Sequence, residues 1–143
     1  AMVIPALISR AVKKEDPFTV WGEGSAVRDF VFVDDVAEGV LLAFEKAADC
    51  TPINLGSGIG TTIKELIDII TSYIPGLNVR WDKGKPVGED MRVLDITRAR
   101  GKIGYKPRIS LKEGIGKTIE WYQENMDKLP QHYNVFHEKA LIS

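Results

Sequence analysis

The run Val20-Trp21-Gly22-Glu23-Gly24-Ser25-Ala26-Val27-Arg28-Asp29-Phe30-Val31-Phe32-Val33-Asp34-Asp35 constrains the fold more than any other part of the chain. Two apolar segments flank a glycine-rich reversal, and two aspartates follow where a helix can begin. That order predicts a hairpin or near-hairpin of residues 18–21 and 27–33, with a helix laid across it. Between 27 and 33 the side chains alternate, so Arg28, Phe30 and Phe32 share one face and Val27, Asp29, Val31 and Val33 the other. A guanidinium beside aromatic rings suits a flat ligand that carries an anion. A diphosphate is held bidentately, while the rings and Trp21 line a nucleotide pocket. The competing reading pairs Arg28 with Asp29 or Glu23 at a strand edge, its stem laid on the rings. The residues alone leave both open.

The chain has 143 residues, one domain's worth and enough to bury a core without staples. It is 44% hydrophobic and 27% charged, with a formal net charge of -1, so nothing draws it globally to nucleic acid or membrane and any anion site is local. The single cysteine, Cys50, excludes an intrachain disulfide and fits a reducing compartment, with the cytoplasm expected. No apolar run approaches the ~18 residues of a membrane span. The apolar opening, Val3-Ile4-Pro5-Ala6-Leu7-Ile8, reads as the interior of a longer protein.

Pro5 and the apolar Ala6, Leu7, Ile8, Ala11 and Val12 predict a first helix. Asp34 or Asp35 is expected to cap a helix from Val36 to about Ala47, with Val36, Val40, Leu41 and Phe44 on its packed face. Ile53-Asn54-Leu55 reads as a brief strand. Thr62 with Glu65 forms a capping box for a helix through Ile63, Leu66, Ile67, Ile70 and Ile74. A strand over 77–81, a short helix from Thr97, and a last helix capped by Ser110 with Glu113 complete the pattern.

Gly56 to Gly60 invites comparison with a dinucleotide fingerprint, but its glycines fall as G-x-G-x-G, and the acidic residue about 20 positions on is missing. A structural turn is expected. His132 and His137 lie five apart in an aperiodic tail without a surrounding cluster, which argues against a metal. The loop over 83–92 gathers Lys83, Lys85 and Arg92 around glycines. It reads either as a solvated loop or, with Arg28, as a second jaw on a diphosphate.

Taken together, Val3-Ile4-Pro5-Ala6-Leu7-Ile8, Val20-Trp21-Gly22-x-Gly24-Ser25, Arg28-Asp29-Phe30-Val31-Phe32-Val33-Asp34-Asp35, Ile53-Asn54-Leu55-Gly56-Ser57-Gly58, Lys85-Pro86-x-Gly88, Asp95-Ile96-Thr97 and Gly104-Tyr105-x-Pro107 resemble the C-terminal part of extended short-chain dehydrogenase/reductases, the NAD-dependent epimerase/dehydratase family. Trp21-Gly22 and Lys85-Pro86-x-Gly88 look most like its GDP-fucose synthase-like GDP-sugar epimerase/reductases. The resemblance implies a mixed α/β substrate-binding lobe of a Rossmann-type enzyme, with the N-terminal dinucleotide-binding half absent. Residues 1–143 would form one C-terminal nucleotide-sugar-binding domain, with an irregular tail over 130–143. Arg28 matches the arginine that contacts the diphosphate, Trp21 a position lining the nucleotide or sugar, and Lys85 a second basic contact. Thr19 matches a segment that presents backbone to the base. Val87 stands where GDP-fucose synthases carry an acidic residue, and Asp34, Asp35 and Asp95 match caps and turn-formers.

The same resemblance implies that NAD or NADP and a Tyr-x-x-x-Lys pair belong to the missing half. None of Tyr73, Tyr105, Tyr122 and Tyr133 has a lysine four residues on. The expected ligand is a nucleotide-diphosphate sugar and the expected parent a homodimeric epimerase/reductase, with the segment inactive alone and holding no cofactor. A free-standing nucleotide-sugar-binding or regulatory module, and a structural domain without a site, are the rival readings.

Overall fold

The computed structural model describes residues 3–86 and 88–128, so Val87, His132, His137 and the tail expected over 130–143 lie outside the described residues. Helix α1 (Val3–Val12) leads to strand β1 (Phe18–Trp21) and then to β2 (Val27–Asp29) and α2 (Val33–Lys46). Strand β3 (Gly60–Thr62), α3 (Ile63–Tyr73), β4 (Val79–Asp82), β5 (Met91–Arg92), α4 (Thr97–Ile103) and α5 (Leu111–Asn125) follow. The result is the mixed α/β architecture that the sequence predicts.

The strands pair differently from the expectation. β1 runs parallel to β4, from Phe18 opposite Val79 to Trp21 opposite Asp82. β2 lies between antiparallel β3 and parallel β5. The hairpin therefore does not form, because each strand finds a different partner. Phe18 and Val20 bury themselves among α1, α3 and α5 through Leu7, Ile8, Leu66, Ile70 and Ile115. Gly24 turns the chain between the two sheets with φ +85, a conformation that L side chains rarely adopt. A Cβ there would also stand 2.8 Å from the Trp81 ring.

β2 is shorter than expected, ending at Asp29. Phe30 goes to the core that holds Phe18, and Phe32 packs over Gly114 on α5, so the shared face of Arg28, Phe30 and Phe32 is broken up. The expected strand at Ile53-Asn54-Leu55 does not form either, since no neighbouring strand among the described residues pairs with it. Ile53 and Leu55 instead pack against a second apolar cluster, with Ile96, Ala99, Ile103 and Tyr105 at its centre.

Helix caps follow the sequence where the signal is reciprocal. Thr62 accepts from Glu65 N–H while the Glu65 carboxylate takes Thr62 N–H, and Ser110 accepts from Glu113 N–H. Helix α2 begins earlier, at Val33, with neither aspartate as its cap. Asp35 is buried and accepts from the N–H groups of Arg108 and Ile109 at 2.9 and 3.1 Å, which ties α2 to the segment before α5.

The packed face of α2 also differs from the expectation. It docks through small residues: a Cβ on Gly39 would come 2.8 Å from Leu55 and 2.9 Å from Tyr105, and Leu42 and Ala43 lie beside the second cluster. Val33, Val40, Leu41 and Phe44 face outward, Phe44 at 90% exposure. Periodicity finds an apolar stripe, but it does not say what covers it.

Candidate functional site

Residues of the two sheets and α1 border an open cavity of about 340 Å³ lined by Arg10, Val20, Trp21, Arg28, Ile63 and Pro86, among others. Its location follows from the topology. β1 delivers Trp21 to one wall, β2 delivers Arg28 to another, and the loop over 83–92 brings Pro86 to its mouth. Three of the four expected site residues thus converge: Trp21 and Arg28 line the cavity, and Lys85 Nζ sits 5.9 Å from the Trp21 ring centroid. Trp21 is 60% exposed, so its indole remains open to a ligand. Thr19 does not line the cavity. Its carbonyl accepts a 2.6 Å hydrogen bond from Arg10.

Arg28 is half-buried, and its Nη1 donates to the Val27 carbonyl at 2.7 Å. Glu23 faces Lys83 at 3.7 Å, and Asp29 is held by other donors. The backbone of Gly88 passes close above, where a Cβ would stand 3.7 Å from Arg28 Nη2. The sheet register sets Arg92 directly beside Arg28 on the β2–β5 ladder. Two like charges opposite one another cost free energy unless an anion bridges them. Of the three basic residues of the loop, Arg92 therefore joins Arg28, Lys85 caps Trp21, and Lys83 turns to Glu23.

Arg10 is the site residue that sequence reasoning missed. Its guanidinium stacks 5.1 Å from the Phe18 centroid and grips Glu15 through Nε at 2.7 Å and Nη2 at 2.6 Å. The hydrogen bond to Glu15 raises the Arg10 pKa, and that from Arg10 holds the Glu15 carboxyl below the ordinary carboxylate range. Because the Glu15 value is lowered by folding, the pair stabilises at neutral pH and is lost as pH falls through that lowered value. Nη1 has no part in these bonds, and Arg10 also lines the cavity. An arginine one turn from a helix end carries no local signal of such a role.

The Gly56–Gly60 turn cradles an anion of its own. Asp29 Oδ1 accepts from Ser57 N–H at 2.8 Å and Ser57 Oγ at 2.5 Å, and Oδ2 accepts from Gly58 N–H at 3.0 Å and Leu94 N–H at 3.3 Å. From the other side the Tyr105 hydroxyl donates to the Gly56 carbonyl. The turn is thus structural, as its spacing implied. Asp95 behaves as a turn-former, accepting from Thr97 N–H at 2.9 Å. No helix among the described residues is long and apolar enough to cross a membrane.

Comparison with known proteins gives a consistent result. Residues 1–56 match the NAD dependent epimerase/dehydratase family. The chain is 35% identical over 130 residues to a putative GDP-L-fucose synthase 2 of Arabidopsis thaliana, covering 87% of this chain and 39% of that protein. The fold superimposes on the UDP-glucose 4-epimerase of Thermotoga maritima, solved with UDP-glucose, at a TM-score of 0.78 and 32% identity, over 88% of this chain and 40% of that one. The Bordetella bronchiseptica enzyme WbmF, solved with NADH, gives a TM-score of 0.70 and 33% identity, over 89% and 38%. The chain spans about two fifths of the length of these relatives. By sequence and by fold, the chain is similar to members of the NAD dependent epimerase/dehydratase family over about two fifths of their length.

Proposed function

We propose that this segment is the nucleotide-sugar-binding portion of an NAD(P)-dependent nucleotide-sugar epimerase/reductase, one domain that binds and does not by itself catalyse. The observation that carries the reading is the cavity with Arg10 and Arg28 on its walls, Trp21 at its side, and the Lys85 loop at its mouth. Guanidinium groups match the paired oxygens of a diphosphate, the cavity takes a ring system against apolar walls, and Trp21 offers a flat face to base or sugar. The GDP-fucose synthase relatives favour a GDP-sugar, and the epimerase solved with UDP-glucose keeps uridine as the rival base.

NAD or NADP would bind to the dinucleotide-binding half of the whole enzyme, because the described residues do not fit it. The glycine-rich turn that most resembles a phosphate cradle already holds Asp29 on its N–H groups. In the whole enzyme that half would cover the outward face of α2. A cytoplasmic homodimer is the expected setting. Within this segment, Arg28 and Arg92 would neutralise the diphosphate, Arg10 would donate from Nη1, and Lys85 would close over the ligand.

The loop supplies one test. Over the cavity it is held by a cation–π contact of Lys85 with Trp21 and an exposed Lys83–Glu23 pair, each worth about 1 kcal/mol or less. Such a segment opens readily without ligand and gains protection when its lysine meets a phosphate. Hydrogen exchange over residues 83–92 should slow on addition of a nucleotide sugar, and equal exchange with and without it would remove the closing-loop role. A second test concerns chemistry. The purified chain should show no turnover with NAD(P)H and GDP- or UDP-sugars, and measurable turnover would place catalytic groups inside it.

A further inference from the structure

We propose that Asp29 is a positioning residue of the anion site, fixing Arg28 and Arg92 side by side through a carboxylate that faces away from the ligand. This rests on the nucleotide-diphosphate reading of the cavity and assigns a role to a residue that touches no ligand. Successive residues of a strand point to opposite sides, so Arg28 and Asp29 serve opposite faces of β2. Arg28 lies on the cavity wall, while Asp29 is clasped by the 56–58 turn and by Leu94.

The clasp reaches both arginines. Arg28 directly precedes Asp29 in β2, and Leu94, which gives its N–H to Asp29 Oδ2 at 3.3 Å, follows Arg92 by two residues. β5 is just two residues long, so its own ladder is a weak hold on Arg92. The Leu94 bond supplies a second fixed point immediately beyond it. The turn is shaped to admit the carboxylate: a Cβ on Gly56 would meet Asp29 Oδ2 at 2.8 Å, closer than real Cβ contacts come. A carboxylate takes four donors on two oxygens, whereas an amide of the same shape presents one acceptor oxygen and an NH₂ group facing donors. Asp29→Asn therefore disturbs the clasp while leaving Arg28 and Arg92 in the sequence.

The test is calorimetric titration of the chain and its variants with GDP and UDP, using guanosine and uridine as phosphate-free controls. Asp29→Asn should weaken diphosphate binding by roughly tenfold, the scale of a lost charge-assisted contact, and leave nucleoside binding unchanged. In an Arg28→Ala, Arg92→Ala background the same change should have much less further effect, because Asp29 acts through the two arginines. Equal losses for diphosphate and nucleoside, or an undiminished loss in the doubly substituted background, would assign Asp29 to general stability and overturn the proposal. If Asp29→Asn does not fold, Ser57→Ala decides. It removes one hydroxyl donor at 2.5 Å and should weaken GDP and UDP binding severalfold without altering nucleoside binding, and no change would overturn the proposal. An unmodified chain that binds neither GDP nor UDP would overturn the diphosphate reading itself, whereas binding that Asp29→Asn and Ser57→Ala leave intact would overturn the positioning role alone.

Discussion

Arg28→Ala should weaken binding of a nucleoside diphosphate sugar by about 1.5 to 3 kcal/mol, the range for hydrogen bonds to a charged group, with the fold intact. Arg28 is half-buried on the cavity wall, and its Nη1 donates to the backbone carbonyl of its neighbour Val27. Arg92 stands beside it in the ladder. The expected result is a loss of affinity larger than any change in stability. Calorimetry alongside a urea titration separates the two. An unchanged dissociation constant at equal stability would remove Arg28 from the site.

The outward stripe of α2 leads to the second large effect. Val33, Val40, Leu41 and Phe44 form an apolar patch on one helix, and burying each contributes about 1.5 to 3 kcal/mol. Against an association cost of about 4 to 15 kcal/mol, four such side chains suffice for weak, concentration-dependent self-association. The sedimentation coefficient of the chain should rise with concentration, and Leu41→Glu with Phe44→Glu should hold it at the monomer value. Both positions are exposed, so the double change leaves the core packing of α2 through Gly39, Leu42 and Ala43 in place. A concentration-independent monomer before substitution would show that the stripe needs no cover.

The legible parts of this chain were those fixed by local physics. The Thr62–Glu65 capping box is a reciprocal pair three residues apart, and it forms as written. The buried face of α3 follows from its period. Family motifs pointed to Arg28, Trp21 and Lys85; strand geometry puts Arg28 and Trp21 on one cavity, with Lys85 beside the Trp21 ring. What escaped the sequence depended on partners distant along the chain. Whether β1 pairs with β2 or with β4 is settled by where Phe18 and Val20 find a core, not by the turn that joins β1 to β2. The docking face of α2 depends on Gly39 meeting Tyr105, a contact between residues far apart in sequence. Asp35 serves Arg108 and Ile109, whereas its position at a helix start suggested a cap. Arg10 acquires its place from Glu15 and Phe18 together, which no spacing rule links.

The central proposal, that this chain binds a nucleotide-diphosphate sugar in the cavity lined by Trp21 and Arg28, is tested most directly by titrating it calorimetrically with GDP-, UDP-, dTDP- and CDP-sugars. The free sugars serve as controls. Saturable binding of at least one nucleotide sugar, absent with the free sugars and weakened by Arg28→Ala, is the expected result. A folded chain that binds none of the four at millimolar ligand, or binds them equally well without Arg28, would contradict it.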